Sequence, residues 1–355
     1  MDILTVNVGS SSVKLDRFDG RSSPPRLQAT LRLDAGASLP DPLPPPAIVV
    51  HRVVHGGELA RPAFIDADIE ARIEAAAPLA PLHNPPALSM IRACRQRFGP
   101  SVPQLAVFDT AFFADLPPAA RAYALPRELT RAHAIRRYGF HGIAHQALWR
   151  AWQDNTGRGG RVVTLQLGAG CSAAAIAGGK PLDTSMGFTP LEGLVMATRS
   201  GDVDPGLLLY LQRAAGLDAA QMEDVLATQS GLLGMAGSGD MRALLADGAP
   251  DAALAIDVYC HRVRKIIGAY AAVLGGLDGI VFGGGVGEHA PEIRSRILAD
   301  MEWLGVQYAA AANGAAAGQA SRISAAGSPC QAWVCAVDEA SELARAGQQA
   351  LTGTG

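Results

Sequence analysis

The chain has 355 residues, 49% hydrophobic and 18% charged, with a net charge of −3. The length suggests two domains, each able to bury its own core, and the composition is globular rather than disordered. With no basic block, nucleic-acid binding is excluded as the main activity, and the longest apolar run, residues 266–277, is too short to span a bilayer.

Residues 2–8 are rich in β-formers and end at Gly9. After the turn Ser10-Ser11-Ser12, residues 13–18 alternate again, so a strand, a tight polar turn and a second strand are predicted. Residues 20–46 lack periodicity, and Pro40, Pro42, Pro44, Pro45 and Pro46 make that stretch an extended connector. A buried strand is predicted at 47–54, and a helix at 69–77 that stops at Pro78. A second helix runs from Asn84-Pro85-Pro86 to about Phe98, with proline at the first turn, where its missing N–H costs nothing. A strand at 104–108 ends at Asp109. A second half begins near residue 115. It opens clearly with a strand at 161–167, the small residues Gly168-Ala169-Gly170, and a strand at 171–177 closing at Gly178-Gly179. Helices are predicted at 205–215, 218–228, 250–274 and 291–303. A short strand at 279–282 runs into 283–287, a last strand covers 333–337, and a helix follows from about Asp338. Residues 4–13 and 163–172 share one pattern of strand, small-residue turn and strand, which suggests two related domains facing each other across a cleft.

The start of the chain has no basic n-region and predicts no secretory signal. Five scattered cysteines (94, 171, 260, 330, 335) with no C-x-x-C pair predict neither a disulfide framework nor a zinc site, and a cytoplasmic protein is expected.

Small residues at a strand end let backbone N–H groups approach an anion. Three such turns, at 9–12, 168–172 and 283–287, suggest a bound polyphosphate. None matches a Walker A loop. Gly168-x-Gly170-x-x-Ala173 and Gly285-x-Gly287-x-x-Ala290 fit a dinucleotide fingerprint loosely, but the first precedes a predicted strand where that fingerprint needs a helix. Ordinary tight turns are the alternative for any one of them.

Arg52 follows a buried apolar run. A guanidinium there is costly unless it faces an anion or an internal carboxylate, both of which suit its planar fork. His51 and His55 would lie about 13 Å apart on a strand, too far for one ion. The segment from His141 to His145 lacks the glutamate of H-E-x-x-H, which argues against zinc hydrolysis. His133, His261 and His289 read as structural residues. Asp109, at a strand's carboxyl end, is either an active-site carboxylate or a helix cap. The segment 199–202 is polar, with Glu192 and Asp204 nearby.

Together these segments resemble the acetate kinase family of acetate, propionate and butyrate kinases. The resemblance rests on ordered blocks at 7–14 (N-V-G-S-S-S-V-K), 51–58 (H-R-V-V-H-G-G-E), 80–86, 108–112, 137–142 (R-Y-G-F-H-G), 183–193, 198–205, 230–234 and 240–242, and it covers nearly the whole chain. It implies an α/β fold of two duplicated ribonuclease H-like domains of the actin and sugar kinase superfamily, with residues 1–114 plus 341–355 in one and 115–340 in the other, and a cleft between them. It implies reversible transfer of a phosphoryl group from ATP to acetate with Mg2+, and a homodimer. Carried over residue by residue, Arg52 and Arg199 would grip the acyl carboxylate and the phosphoryl group. His141 would hydrogen-bond that group, and Asp109 would hold the arginines or acyl group in place. Asn7, Ser10, Ser12, Lys14, Gly168, Gly170, Asp240, Arg242, Gly284, Gly285 and Gly287 would lie by the nucleotide and its phosphates. Glu339, with Asn7, would position the metal. Val54, Leu82, Phe140 and Pro190, beside Arg52, would form the acyl pocket. Such chemistry needs no base, because the acceptor oxygen is already anionic, and depends on alignment and charge compensation.

The departures from the family pattern cluster on the nucleotide side. They are Gln166 and Ala169 in the second turn, Gly283 in the third, His289 after it, and Gly239 before Asp240. The span between Phe18 and Ile48 is also short, and a helix and a strand are expected to be missing there. An altered donor such as pyrophosphate, a propionate or butyrate acceptor, a non-catalytic nucleotide-binding relative and a dinucleotide-dependent dehydrogenase are the rival readings.

Overall fold

The computed structural model describes residues 1–9, 12–34, 36–318 and 320–353. The chain folds as two units. The first comprises Met1–Ala114, Phe140–Ala147 and Asp338–Gly355, and the second Asp115–Gly139 and Leu148–Val337. The division expected from the sequence lacks the return to the first unit at Phe140–Ala147 and starts the final segment at 341 rather than at Asp338.

The first unit is built on six strands: β1 (Asp2–Val8), β2 (Ser12–Asp19), β3 (Arg26–Asp34), β4 (Ile48–Val53), β5 (Ala63–Phe64) and β6 (Gln104–Phe108), in the order β3-β2-β1-β4-β6-β5. Strands β1, β4 and β6 are parallel, and β2, β3 and β5 run against their neighbours. The second unit has β7 (Arg161–Leu167), β8 (Cys171–Ala177), β9 (Lys180–Thr184), β10 (Gly279–Gly283), β11 (Ala320–Arg322) and β12 (Gln331–Cys335). Read from one edge their order is β9-β8-β7-β10-β12-β11, again with three parallel strands (β7, β10 and β12) beside an antiparallel meander and a short antiparallel strand at the far edge. The two sheets therefore share strand order and sense. The chain has an α/β fold of two duplicated ribonuclease H-like domains, as the likeness of residues 4–13 to 163–172 suggests.

Parallel central strands are apolar along their length because helices cover both faces. In the first unit the last helix, Glu339–Thr352, sets Leu343 and Ala344 against Ile3, Ile48 and Val50. The alternate residues Leu4, Val6 and Val49 point the other way and meet Met90 and Cys94 of the helix Asn84–Phe98.

Several elements differ from expectation. Residues 20–46 are not a simple connector, because Arg26–Asp34 forms β3, paired with β2 along its length. Every residue of β3 except the half-buried Leu33 is exposed, so the alternating Leu27, Ala29, Leu31 and Leu33 give the strand no buried face. Pro181 obscures β9, which sits at an edge where proline is tolerated. The helix Gly142–Thr156 opens on a glycine rather than a capping residue. The helix expected at 291–303 ends at Leu298 and is followed by the 3-10 turn Glu302–Leu304, and the strand expected at 333–337 is β12. The five cysteines are buried free thiols. No helix among the described residues is long and apolar enough to cross a membrane.

Candidate active site

In the first unit Asn7 lies near the end of β1, Arg52 near the end of β4 and Asp109 just after β6. The carboxyl ends of adjacent parallel strands are where α/β folds gather functional groups. Arg52 donates from Nη2 to Asp109 Oδ2 at 2.7 Å and from Nε to the same oxygen at 3.2 Å. Its Nη1 donates to Asn7 Oδ1 at 3.1 Å and lies 3.4 Å from Glu339 Oε2. Asn7 Nδ2 donates to that Glu339 oxygen at 2.6 Å. Glu339 is the first residue of the last helix, whose N-cap Asp338 accepts from the Ser341 N–H at 3.0 Å. Four residues from four separate motifs thus form one hydrogen-bonded group.

The carboxylate of this group is the more deeply buried partner: the Asp109 side chain is 1% exposed and that of Arg52 13%. Burial pushes the Asp109 carboxyl above its ordinary value, with the Glu339 charge adding to the rise, against the pull of Arg52 and a hydrogen bond from the Ile143 N–H. Burial works against the Arg52 charge too, but Asp109 and Glu339 outweigh it and hold the guanidinium above its ordinary value. Arg52 is therefore a permanent cation, backed by a buried carboxylate and still reached by solvent.

Neighbouring segments fix these positions. Asn84 is fully buried; its Oδ1 accepts from the His55 N–H at 3.1 Å and its Nδ2 donates to the His55 carbonyl at 2.9 Å, pinning the chain just after β4. His141 has a left-handed backbone with φ 57° and immediately precedes the helix that starts at Gly142. A Cβ on Gly142 would stand 2.0 Å from the Asp109 carbonyl oxygen, so only glycine lets the two segments meet this closely. Of the expected acyl pocket, Val54 and Phe140 are buried and Phe140 packs on the His55 ring at 5.6 Å, while Leu82 is 63% exposed.

The first turn is closed by a hydrogen bond from the Gly9 N–H to the Ser12 carbonyl at 2.9 Å, and Ser10 lies outside the described residues. Lys14 pairs with the buried Asp16 at 3.1 Å, and Thr30 of β3 donates to the other Asp16 oxygen at 2.5 Å. Among the described residues no three His, Cys, Asp or Glu side chains could jointly hold a metal. The oxygens of Asn7 and Glu339 already face one cationic nitrogen of Arg52. Magnesium commonly takes one or two protein oxygens and completes its shell with phosphates and water, so this pair suits that ion.

In the second unit Arg199 is half-buried. Its Nη1 donates to the Pro190 carbonyl at 2.8 Å, and burial lowers the guanidinium from its ordinary value. No ion pair joins it among the described residues. A desolvated cation with no carboxylate partner gains more from an anion than an exposed one does.

The same unit contains a cavity of about 510 Å³ lined by Gly168, Ala169, Gly239, Asp240, Met241, Arg242, Gly285, Val286 and His289, among others. Asp240 caps the helix Met241–Ala246 and pairs with Arg242 at 3.0 Å. Gly284, Gly285 and Gly287 belong to the short helix Gly284–His289, and Gly170 closes the β7–β8 turn by accepting from the Gly168 N–H at 3.1 Å. Three of the departures, Ala169, Gly239 and His289, line this cavity. The other two, Gln166 and Gly283, face each other across the β7–β10 pair. The turn at 168–170 leads into β8 rather than a helix, which rules out the dinucleotide fingerprint there.

The comparisons with known proteins agree. The Acetokinase family model matches residues 45–345. Acetate kinase of Clavibacter michiganensis subsp. michiganensis is 48% identical over 316 residues, covering 87% of this chain and 80% of that one. The crystal structure of Porphyromonas gingivalis acetate kinase superposes with a TM-score of 0.86 at 33% identity, covering 99% of each chain. That of a propionate kinase from Francisella tularensis subsp. tularensis gives 0.87 at 34% identity, covering 97% of this chain and 98% of that one. With the family model, the similar sequences and the solved structures in agreement, the chain belongs to the acetokinase family.

Proposed function

We propose that the chain is an acetate kinase: it transfers the terminal phosphoryl group of ATP to a carboxylate oxygen of acetate, reversibly, giving acetyl phosphate and ADP. The acetate oxygen attacks phosphorus as the bond to the ADP oxygen breaks, so no proton need be removed. Arg52, held in place by Asp109, takes the acyl carboxylate, with Val54 and Phe140 supplying apolar surface for the methyl group. Arg199 and His141 take the charge of the migrating phosphoryl group. Asp240, Arg242 and the glycine turns receive the nucleotide; a cavity of about 510 Å³ has room for a nucleoside, which favours a nucleotide donor over pyrophosphate. Magnesium, held by Asn7 and Glu339, supplies charge neutralisation of the phosphates. The enzyme works in the cytoplasm on soluble substrates. It does so as a homodimer, a reading supported by the helix Pro205–Ala214, which buries none of its residues and exposes Leu207, Leu209 and Tyr210.

The observation that carries this reading is the group Arg52–Asp109–Asn7–Glu339, a solvent-reachable guanidinium locked by a buried carboxylate. The test is acyl phosphate formation, trapped as the hydroxamate, with ATP, GTP and pyrophosphate each offered acetate, propionate and butyrate. The highest kcat/KM is expected with ATP and acetate. A pyrophosphate preference, or no product with any pair, would overturn it. Light scattering of the eluting protein checks the dimer.

A further inference from the structure

The second unit contains a partly buried polar cluster that the chemistry above does not use. Tyr123, Arg137 and Glu192 come from three separate segments. Arg137 Nη2 donates to Glu192 Oε1 at 2.5 Å, the Tyr123 hydroxyl donates to Glu192 Oε2, and the guanidinium sits 5.5 Å from the Tyr123 ring centre. The remaining Arg137 donors go to main chain: Nη1 to the carbonyls of Thr184, Ser185 and Met186 at 3.2, 3.4 and 3.2 Å, and Nε to that of Ala120 at 3.2 Å. The Tyr123 oxygen accepts from the Phe188 N–H at 2.8 Å. Residues 184–192 are thus held at their start, middle and end by one arginine, one phenol and one carboxylate. The packing leaves no slack, because a Cβ on Gly187 would stand 1.7 Å from Glu192 Oε2 and 2.1 Å from the Tyr123 oxygen.

Within this held segment lies the Pro190 carbonyl that receives Arg199 Nη1 at 2.8 Å. With no ion pair among the described residues, the Arg199 fork takes its direction from that carbonyl. An ion pair withdrawn from water contributes little net stability, since desolvation offsets its attraction. Three carbonyls bound by one guanidinium group do, however, fix a loop. We propose that Tyr123, Arg137 and Glu192 are positioning residues that orient Arg199 for phosphoryl transfer through the 184–192 segment. The proposal rests on Arg199 acting on the phosphoryl group.

Tyr123→Phe tests it without changing charge. Loss of the hydroxyl is expected to lower kcat with ATP and acetate about 10- to 100-fold, the scale for a small misplacement of a charged group. The KM for ATP and the affinity for a fluorescent ADP analogue should stay at wild-type values. In an Arg199→Lys background the same change should cost less than about twofold, because the residue it acts through is already gone. Glu192→Gln, which keeps an acceptor for Arg137, should fall between wild type and Tyr123→Phe, and serves as the second variant if Tyr123→Phe does not fold. An unchanged kcat, or an equal fall in both backgrounds, would overturn the proposal while leaving the role of Arg199 standing. Wild-type turnover by Arg199→Lys and Arg199→Ala alone would remove that role and the proposal with it.

Discussion

Replacing Arg52 by alanine should damage stability and catalysis by separable routes. Asp109 is buried and Arg52 is its ion-pair partner, so the variant leaves an uncompensated carboxylate inside the first unit. Removing one partner of such a pair typically costs about 3–5 kcal/mol. The loss should depend on pH. Without Arg52, burial and the Glu339 charge act on Asp109 against only the Ile143 N–H, and its folded pKa rises further above the unfolded value of about 3.9. A folded pKa raised in this way stabilises the folded state at low pH and loses that contribution as pH rises through it. The deficit relative to wild type should therefore be smallest at mildly acid pH and grow towards neutrality. Urea unfolding midpoints of wild type, Arg52→Ala and Arg52→Ala/Asp109→Asn measured across pH would show this. The double variant, in which neither member of the pair is charged, should recover most of the stability at neutral pH. Its turnover in the hydroxamate assay should remain about 10²–10³-fold below wild type, the scale for deleting one donor to a transition-state charge. Wild-type turnover by a folded Arg52→Ala, or no recovery of stability in the double variant, would refute this account of the pair.

Arg199→Met should also lower turnover about 10²–10³-fold, but leave the unfolding midpoint unchanged or higher, because it removes a desolvated cation held only by a carbonyl; a scan of melting temperature beside the activity assay checks both. His51 and His145 are fully buried, and burial lowers them to about 4 and about 3 respectively, so the unfolded chain takes up their protons first. Stability should be full above about pH 6.5 and fall as the pH drops towards 4, by about 1.4 kcal/mol per pH unit for each histidine, which a melting-temperature series would read. Gly142→Ala places a methyl 2.0 Å from the Asp109 carbonyl; soluble protein with wild-type turnover would show that the approach of these segments is not required.

The elements legible in the sequence were those with a face to bury. The hairpins at 2–18 and 161–177 and the helix Pro250–Leu274 stand where expected, because apolar periodicity, small turn residues and proline at a helix start are local signals. Strand β3 was missed although Leu27, Ala29, Leu31 and Leu33 alternate with polar residues, because the prolines that follow at 40–46 mark the stretch as a connector; the strand is exposed on both faces and is held by pairing with β2. At the site, Asn7, Arg52, Asp109 and Glu339 could be named singly from their motifs. The sequence left open whether Arg52 faces an internal carboxylate or an external anion; the structure shows the Asp109 pair and leaves the guanidinium reachable. Arg137 and Glu192 lie inside motifs of the family yet suggested no role, since most partners of Arg137 are main-chain carbonyls, and the partners of Glu192 are side chains 55 and 69 residues away that no local pattern links to it.

The helix Glu339–Thr352 covers one face of the sheet that the first fifty or so residues begin. On a ribosome, Ile3, Ile48 and Val50 are made early and must wait for Leu343 and Ala344 to emerge before that face is sealed. Until then the nascent amino-terminal half presents an oily surface to chaperones. A premature stop codon that deletes only this last helix should therefore yield an aggregate or a degradation substrate rather than a slightly shortened enzyme.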